Sequence, residues 1–281
     1  MLLWEAKIST DIDITLSVVT VCFLDPVGLE QTLKSILRQE GYSMTVQVVV
    51  VDGSSDSATQ AVVNSFMSSW PDELCVLLSE ADSGVYDGMN KGTSLAQGRY
   101  VQYLNSGDSL HKNSAFSEIE TLLATNPQWA VSGAVHGFGT GRPQATIGNV
   151  PHKRVRHAFG MQSHCHQACW FRTATVRALG GYDETVGFVA DFDIILRFGL
   201  IAAPVTTASQ LIFYQGGGMS AHRGNEIPFM IASVRHARLY GGAAWLVRLD
   251  SVFTQSQTCN RRARSIMRRG YRKILGGRHG R

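Results

Sequence analysis

Apolar residues along the first half of the chain follow two alternating patterns. Nearly continuous β-branched runs at 16–23 and 46–52 are typical of strands buried on both faces of a sheet. Between them, segment 27–39 places Leu29, Leu33 and Ile36 on one helical face. Three further strand and helix patterns continue this alternation to about residue 130. The pattern predicts an α/β fold with a mostly parallel central sheet and helices on both faces.

The second half of the chain is less regular. Segment 139–165 is rich in Gly, Pro, His and Arg and predicts a loop, and a second glycine-rich loop follows at 215–225. Between and after these loops the sequence predicts strands at 167–172 and 209–214 and helices at 188–200 and 227–241. We therefore divide the chain into an N-terminal extension at 1–15, a first half at 16–135, a second half at 136–225 and C-terminal helices at 226–281.

Polar side chains follow the predicted parallel strands where each strand ends. Asp52 ends one strand, Asp82 follows the next, and Asn105 and Asp108 follow a third. Ligands of open α/β sheets bind at this edge, and carboxylates there can hold a divalent cation that in turn holds a diphosphate. Asp52 could instead accept hydrogen bonds from a base or ribose. Turns such as Asp-Gly-Ser also form without any ligand. The sequence contains no P-loop, dinucleotide glycine motif or nucleophile elbow.

Charge is distributed unevenly along the chain. Nine of the 26 basic residues lie in 261–281, which has no acid, so the remainder has 17 basic and 22 acidic residues and a net charge of −5. This argues against a nucleic-acid-binding body. The tail also carries apolar residues at helical spacing, so we expect it to lie on an anionic membrane surface. A nucleic-acid contact or a solvated end is the alternative reading of the tail.

The chain contains no apolar run long enough to span a bilayer, and its N-terminus does not resemble a signal peptide. We therefore expect a cytoplasmic protein, with peripheral association at the inner face of the plasma membrane. The five cysteines are odd in number and scattered, which indicates reduced thiols. His164, Cys165, His166 and Cys169 are crowded into six residues, whereas structural zinc sites use separated ligand pairs.

Several long stretches resemble the nucleotide-binding half of family 2 glycosyltransferases with the GT-A fold. They are "LSVVTVCF", "VVVVDGSSD" and the run from 79 to 110, "SEADSGVYDGMNKGTSLAQGRYVQYLNSGDSL". The later "CHQACWF", "VADFDIILRF" and "GGGMS" are similar to the same family, so the resemblance covers roughly 16–225. It is strongest to the bacterial branch that builds exopolysaccharides and glycolipids, which includes colanic-acid-type transferases.

The resemblance implies an inverting transfer from a nucleoside-diphosphate sugar, with Mn²⁺ or Mg²⁺ as cofactor. It implies a hydroxyl of a lipid-linked or polysaccharide acceptor as the second substrate. By position, the resemblance implies that seven residues line the donor pocket. These are Thr20, Asp52, Asp82, Tyr86, Asn90, Lys91 and Asn105.

The turn at 105–108 departs from the commonest family pattern, which has acids where Asn105 and Gly107 stand. Asp108 is the one carboxylate of that turn. We expect it to bind the cation together with phosphates and waters, and to bind it weakly without donor. His222 is a second candidate ligand, with an exposed loop histidine as the alternative.

The resemblance places the catalytic base in a pair that corresponds to Ala190 and Asp191. Asp193 has Arg197 at i+4 as an ion-pair partner, whereas Asp191 has only apolar residues at i+3 and i+4. An unpaired carboxylate beside apolar groups accepts a proton more readily, although the helix dipole opposes this. We therefore assign the base role to Asp191. An ordinary helix-terminal carboxylate is the alternative for Asp191.

The "CHQACWF" segment places His166 and Gln167 near the acceptor or the donor phosphates, with structural hydrogen bonding as the alternative. We considered two other functions for the chain. A sugar-1-phosphate nucleotidyltransferase would need a glycine-rich basic loop after the first strand, where this chain has "LDPVGLEQ". A catalytically inactive nucleotide-sugar-binding protein is the other, because acids are missing at 105, 107 and 190.

Overall fold

The computed structural model describes residues 12–137, 145–147, 150–162, 164–216 and 226–259. The chain divides into two compact units, Met1–Ala221 and His222–Arg281. The described part of the first unit contains one nine-stranded sheet with helices on both faces.

The amino-terminal part of the first unit is a parallel sheet with crossover helices. Its elements are β1 (Leu16–Cys22), α1 (Pro26–Leu37), β2 (Val46–Asp52), α2 (Ser57–Met67), β3 (Cys75–Ser79), α3 (Val85–Leu95) and β4 (Tyr100–Tyr103). The strands pair in the order β3-β2-β1-β4, all parallel. Cys22, Asp52 and Ser79 are register partners, so the strands present their carboxyl ends at one edge.

The later part of the first unit extends the same sheet with mixed pairing. Its elements are β5 (Ser109–Leu110), α4 (Ala115–Leu123), β6 (Trp129–His136), β7 (Ala145–Ile147), α5 (Arg154–Ala158), β8 (Cys169–Arg172), α6 (Thr173–Ala178), α7 (Ala190–Ile201) and β9 (Val205–Tyr214). The order continues β4-β8-β6-β9-β5, and β7 pairs with β6. β8 is antiparallel to both neighbours, whereas β9 is parallel to β6.

Hydrophobic cores lie on both faces of the sheet. Successive residues of β1 and β2 alternate between them: Val18 and Val48 belong to one core, and Val19 and Val49 to the other. Residues of α1 and α4 complete the first core, and residues of α3 and α7 complete the second. Burial on both faces explains the continuous apolar runs of the parallel strands. The predicted α/β fold class is confirmed.

Segment 139–165, which we predict as a loop, contains two short elements that the pattern does not reveal. They are β7, of three residues, and α5, of five residues. Neither is long enough to complete two periods of a strand or helix pattern. β7 forms by antiparallel pairing with the end of β6, where Ala134 and His136 are register partners of Ile147 and Ala145.

The second unit contains α8 (Ile227–Leu239) and a further helix, α9, at 244–259. Arg235 of α8 is buried and forms an ion pair with buried Asp250 of α9, with Nη2 and Oδ2 2.6 Å apart. His236 Nε2 lies 2.6 Å from the same carboxylate oxygen. The basic tail at 261–281 lies outside the described residues. None of the described helices is both long enough and apolar enough to cross a membrane.

Candidate active site

A cleft of about 820 Å³ opens at the carboxyl ends of the parallel strands of the first unit. It is lined by the start of α1, the start of α3, the turn after β4, segment 164–167, the start of α7 and the end of β9. Six of the predicted site residues line it: Tyr86, Asn105, Asp108, His166, Gln167 and Asp191. Among the described residues that line the cleft, none is Lys or Arg.

The turn after β4 is held in place by the start of α1. Gly107 has a φ of +86°, a backbone conformation that glycine adopts without strain. Ser106 Oγ donates to Asp25 Oδ2 at 2.6 Å, while Asp25 Oδ1 caps α1 by accepting from Gly28 N at 3.0 Å. The helix cap and the turn are therefore fixed by one carboxylate, which lines the cleft.

Asp108 is buried at the floor of the cleft, with 4% of its surface exposed. Its Oδ2 accepts from Gln167 Nε2 at 2.8 Å and its Oδ1 from Gln215 N at 2.9 Å. Burial raises the pKa of this carboxyl to about 7, because two neutral donors do not offset the loss of water. In the same turn, Asn105 Oδ1 is buried without a hydrogen-bond partner. The turn therefore offers one uncompensated carboxylate and one unsatisfied amide oxygen.

These two oxygens suit a hard divalent cation, which prefers carboxylate and amide ligands. Protein side chains alone would not complete its coordination among the described residues, because these contain no group of three or more His, Cys, Asp or Glu able to hold a metal. The candidate ligand His222 lies outside the described residues. Segment 164–169 shows no zinc arrangement: the Cys165 thiol donates to Gln167 Oε1 at 2.8 Å, and burial raises its pKa.

Asp191 lies in the first turn of α7 and is partly exposed to the cleft. Every other residue from 190 to 199 is buried, so Asp191 is the residue of this stretch whose side chain reaches the cleft. Its Oδ1 accepts from Phe192 N at 2.7 Å, and no Lys or Arg of the described chain pairs with it. Burial raises the pKa of this carboxyl to about 6.

Asp193, two residues further on, has a structural environment. It is fully buried, and its Oδ2 lies 2.8 Å from Arg197 Nε, so the ion pair expected from the i+4 spacing is present. Arg197 also donates to the carbonyl oxygens of Leu179 and Gly181 at 2.9 and 2.6 Å. Asp193 thus helps to fix the turn at 179–181 and does not line the cleft.

Tyr86 and His166 form an aromatic wall of the cleft. Tyr86 Oη donates to Phe188 O at 3.3 Å, and its ring stacks on Tyr182 at 5.3 Å. His166 Nδ1 lies 3.5 Å from Tyr182 Oη. Burial lowers the pKa of His166 to about 4, so its imidazole is neutral near pH 7.

The other predicted donor residues do not line this cleft. Asp52 is fully buried and accepts four hydrogen bonds, from Ser54 N and Oγ, Asp56 N and Ser79 Oγ, at 2.5 to 3.3 Å. Asp108 and Asp191 therefore share the cleft, whereas Asp52 is directed into its own turn.

Four more predicted donor residues have local contacts in the structure. Thr20 is buried in β1, and its Oγ1 has no hydrogen-bond partner. Asp82 Oδ1 accepts from Gly84 N at 3.1 Å. Asn90 exchanges hydrogen bonds with the backbone of Tyr182. Lys91 Nζ lies 3.1 Å from Glu80 Oε1 and 3.3 Å from Asp87 Oδ2. Their assignment to the donor stays a prediction.

Asp25, His164 and Gln215 line the cleft but were not predicted as site residues, and His164 was weighed only as a zinc ligand. In the sequence, Asp25 is recognisable only as a helix cap before Pro26. Its hydrogen bond with Ser106, 81 residues away, has no signal in the sequence. His164 also lines the cleft, and its Nδ1 is buried without a partner. Gln215, whose backbone holds Asp108, stands at the start of a predicted loop.

The fold and this cleft define the class of protein: a glycosyltransferase of the GT-A type. The family model for glycosyl transferase family 2 matches residues 17–178, and the chain belongs to that family. An uncharacterised glycosyltransferase of Mycobacterium tuberculosis is 32% identical over 213 residues, which are 74% of this chain and 78% of that protein. A PGL/p-HBAD biosynthesis glycosyltransferase of Mycobacterium bovis is 27% identical over 202 residues, covering 68% and 73%.

Solved structures share the fold at low sequence identity. TarS 1–349 of S. aureus matches with a TM-score of 0.60 and 16% identity, over 79% of this chain and 65% of that one. This chain therefore spans just under two thirds of that structure. The mannosyltransferase PcManGT of Pyrobaculum calidifontis, solved with GDP-Man and Mn²⁺, matches with a TM-score of 0.59 and 15% identity, over 97% and 84%.

Proposed function

We propose that this glycosyltransferase moves a sugar, with inversion, from a nucleoside-diphosphate sugar to a hydroxyl of a lipid-linked or polysaccharide acceptor. Asp191 acts as the general base. The observation that carries the proposal is the sharing of one cleft by two carboxylates in different environments, Asp191 at its wall and Asp108 at its floor.

The environment of Asp191 suits proton abstraction. Its pKa of about 6 leaves it ionised at pH 7 yet more basic than an exposed aspartate. Its partial exposure to the cleft lets it meet an acceptor hydroxyl, whereas Asp193 is held by Arg197. We therefore infer that Asp191 receives the proton of the attacking hydroxyl, and that Asp193 holds the neighbouring turn.

The floor of the cleft suits the leaving group. Asp108 and Asn105 would hold a divalent cation, which would neutralise charge on the departing diphosphate when bound. Gln167 orients the Asp108 carboxylate, and Tyr86 presents its ring as a stacking surface for a sugar. Thr20, Asp52, Asp82, Asn90 and Lys91 remain our candidates for the nucleotide end of the donor.

The substrate classes are inferred from the relatives. Fold neighbours were solved with UDP-GlcNAc and with GDP-Man and Mn²⁺, which supports a nucleotide-sugar donor and a divalent cation. One relative is named as a PGL/p-HBAD biosynthesis glycosyltransferase, and the name of another assigns it to teichuronic acid biosynthesis. These names support a glycolipid or polysaccharide acceptor. With such an acceptor, we propose that the chain works at the inner membrane surface and that 261–281 contributes to its binding there.

The test begins with thermal shifts in Mn²⁺ for a panel of UDP-glucose, UDP-GlcNAc, UDP-galactose and GDP-mannose. A ligand of the folded state raises the unfolding temperature in proportion to its occupancy. The stabilising donor is then assayed for hydrolysis and for transfer to glycolipid extracts. Wild type, Asp191→Asn and Asp72→Asn are compared, because Asp72 is exposed before β3, at the opposite end of the strands.

We expect Asp191→Asn to bind the donor like wild type and to lose transfer by at least a hundredfold, with Asp72→Asn unaffected. Retained transfer in Asp191→Asn would remove the base assignment. Donor binding by wild type without turnover would support the inactive binding protein. Release of pyrophosphate from a nucleoside triphosphate and a sugar phosphate would support the nucleotidyltransferase.

A further inference from the structure

The first unit carries a surface on which basic and apolar side chains are mixed. It is formed by α5 and the end of α7, and we call it the basic–apolar patch. Its members are Lys153, Arg154, Val155, Arg156, Leu200 and Ile201, all exposed. Val155 is 64% exposed and Ile201 50%, so the patch presents apolar as well as basic side chains to solvent.

The two segments of the patch face each other across an open groove of about 680 Å³. The groove is lined by 152–156 on one side and by Gly199 and 201–203 on the other. A Cβ on Gly199 would lie 3.0 Å from His152 Nε2, so the glycine lets the segments approach closely. His157 Nε2 lies 3.1 Å from Phe192 O, which ties α5 to the first turns of α7.

Charge on this surface is uncompensated. The chain has no Asp or Glu from 121 to 182 but six Lys or Arg, although the body of the protein is acidic as a whole. Lys153, Arg154 and Arg156 form no ion pair with any carboxylate in the described ranges. The three cations are therefore available to an external anionic partner.

We propose that the basic–apolar patch docks on the surface of an anionic lipid bilayer. Basic side chains are attracted to anionic headgroups, and exposed aliphatic side chains between them enter the boundary between headgroups and acyl chains. A soluble polyanion such as a nucleic acid would use the cations alone and would leave Val155 and Ile201 in water. The apolar members therefore favour the bilayer.

The patch adjoins the cleft within the same unit. His152 Nδ1 lies 3.0 Å from His164 Nε2, and His164 lines the cleft. Asp191 stands at the opposite end of α7 from Ile201, about 15 Å away at 1.5 Å per residue. A bilayer at the patch would thus lie about one short helix length from Asp191. The docking itself does not depend on sugar transfer and is measured without any donor.

The experiment measures sedimentation of the full chain with vesicles made of equal parts of phosphatidylglycerol and phosphatidylcholine. Arg154→Glu/Arg156→Glu is compared with Lys34→Glu/Arg38→Glu, which makes the same change of charge at two exposed positions, one in the last turn of α1 and one just after it. Each basic residue near an anionic surface contributes about fivefold to partitioning. We expect the patch variant to lose at least tenfold more partitioning than the control variant.

A second variant tests the apolar contribution. Val155→Ser/Ile201→Ser should lower vesicle partitioning severalfold and leave binding to dextran sulfate unchanged. Thermal unfolding of each variant checks that the fold is retained. Equal loss of partitioning in the patch and control variants would overturn the proposal. The proposal would also be overturned, in favour of a soluble polyanion, by two results together. Vesicle binding would be unchanged in Val155→Ser/Ile201→Ser, and the protein would bind dextran sulfate as tightly as vesicles. Failure of sugar transfer would leave these outcomes unchanged.

Discussion

Replacing Asp108 by Asn should make the free protein more stable above neutral pH. Asp108 is buried, and its pKa lies near 7, well above the ordinary value of 3.8. Because the folded state binds this proton more tightly than the unfolded chain, the contribution to stability is present below about pH 4. It is lost as the pH rises through about 7.

The size of the effect follows from the same carboxyl group. A difference of one unit between the pKa values of the folded and unfolded states corresponds to about 1.36 kcal/mol. Ionisation of Asp108 therefore lowers the free energy of unfolding by up to roughly 4 kcal/mol. In Asp108→Asn, the amide oxygen can keep the bond from Gln215 N. Gln167 must reorient and give up its bond from Cys165, at a cost of about 1 kcal/mol. We expect a net gain of about 1 to 3 kcal/mol at pH 8 and of less than about 1 kcal/mol at pH 5.

The assay is urea unfolding at pH 5 and pH 8 after treatment with EDTA. Asp52→Asn is the matched control, because it makes the same substitution at a fully buried aspartate whose oxygens accept four hydrogen bonds. An amide nitrogen cannot accept, so Asp52→Asn should lose about 1 to 3 kcal/mol at both pH values. A loss of stability in Asp108→Asn at pH 8 would refute the reasoning, and so would an unchanged pH dependence.

Three further predictions concern activity and binding. First, kcat/KM should fall about tenfold per pH unit below pH 6, because protonated Asp191 cannot accept a proton; a pH–rate profile without that limb would contradict the assignment. Second, Asn105→Asp adds a carboxylate beside Asp108, so it should tighten Mn²⁺ binding without donor, measured by calorimetry, and should lower the stability of the fold in EDTA. Unchanged Mn²⁺ affinity would remove this turn from the cation site. Third, deletion of 261–281 should weaken binding to anionic vesicles and leave donor turnover intact, and unchanged vesicle binding would end that role for the tail.

The sequence predicted what depends on local patterns. Continuous apolar runs identified β1 and β2 because both of their faces are buried, and the i+4 spacing identified the ion pair between Asp193 and Arg197. The class of fold followed from the alternation of strands and helices. Asn105 and Asp108 were found because the strand ends of a parallel sheet meet at one edge. The resemblance to family 2 glycosyltransferases pointed to the other four predicted residues that line the cleft, Tyr86, His166, Gln167 and Asp191.

Contacts between distant segments were not predicted. Asp108 accepts a hydrogen bond from the backbone of Gln215, which lies 107 residues later in the chain, directly after β9. The sequence does not specify which strands β9 pairs with in the sheet. The sequence also did not show that α7 is buried at nearly every position up to residue 199. The basic–apolar patch joins α5 to the end of α7, and the pattern gave no sign of α5.

The charge of the described part of the cleft favours binding of the proposed donor together with a cation. A nucleoside diphosphate brings negative charge to a surface that, among the described residues, has no Lys or Arg and has Asp108 and Asp191. At pH 7 and above both carboxylates ionise, although burial opposes this for each of them. Anionic phosphates and buried carboxylates repel each other at short range, and none of the described residues that line the cleft is a Lys or Arg that would offset that repulsion. We therefore expect donor binding to be strengthened by a divalent cation near Asp108.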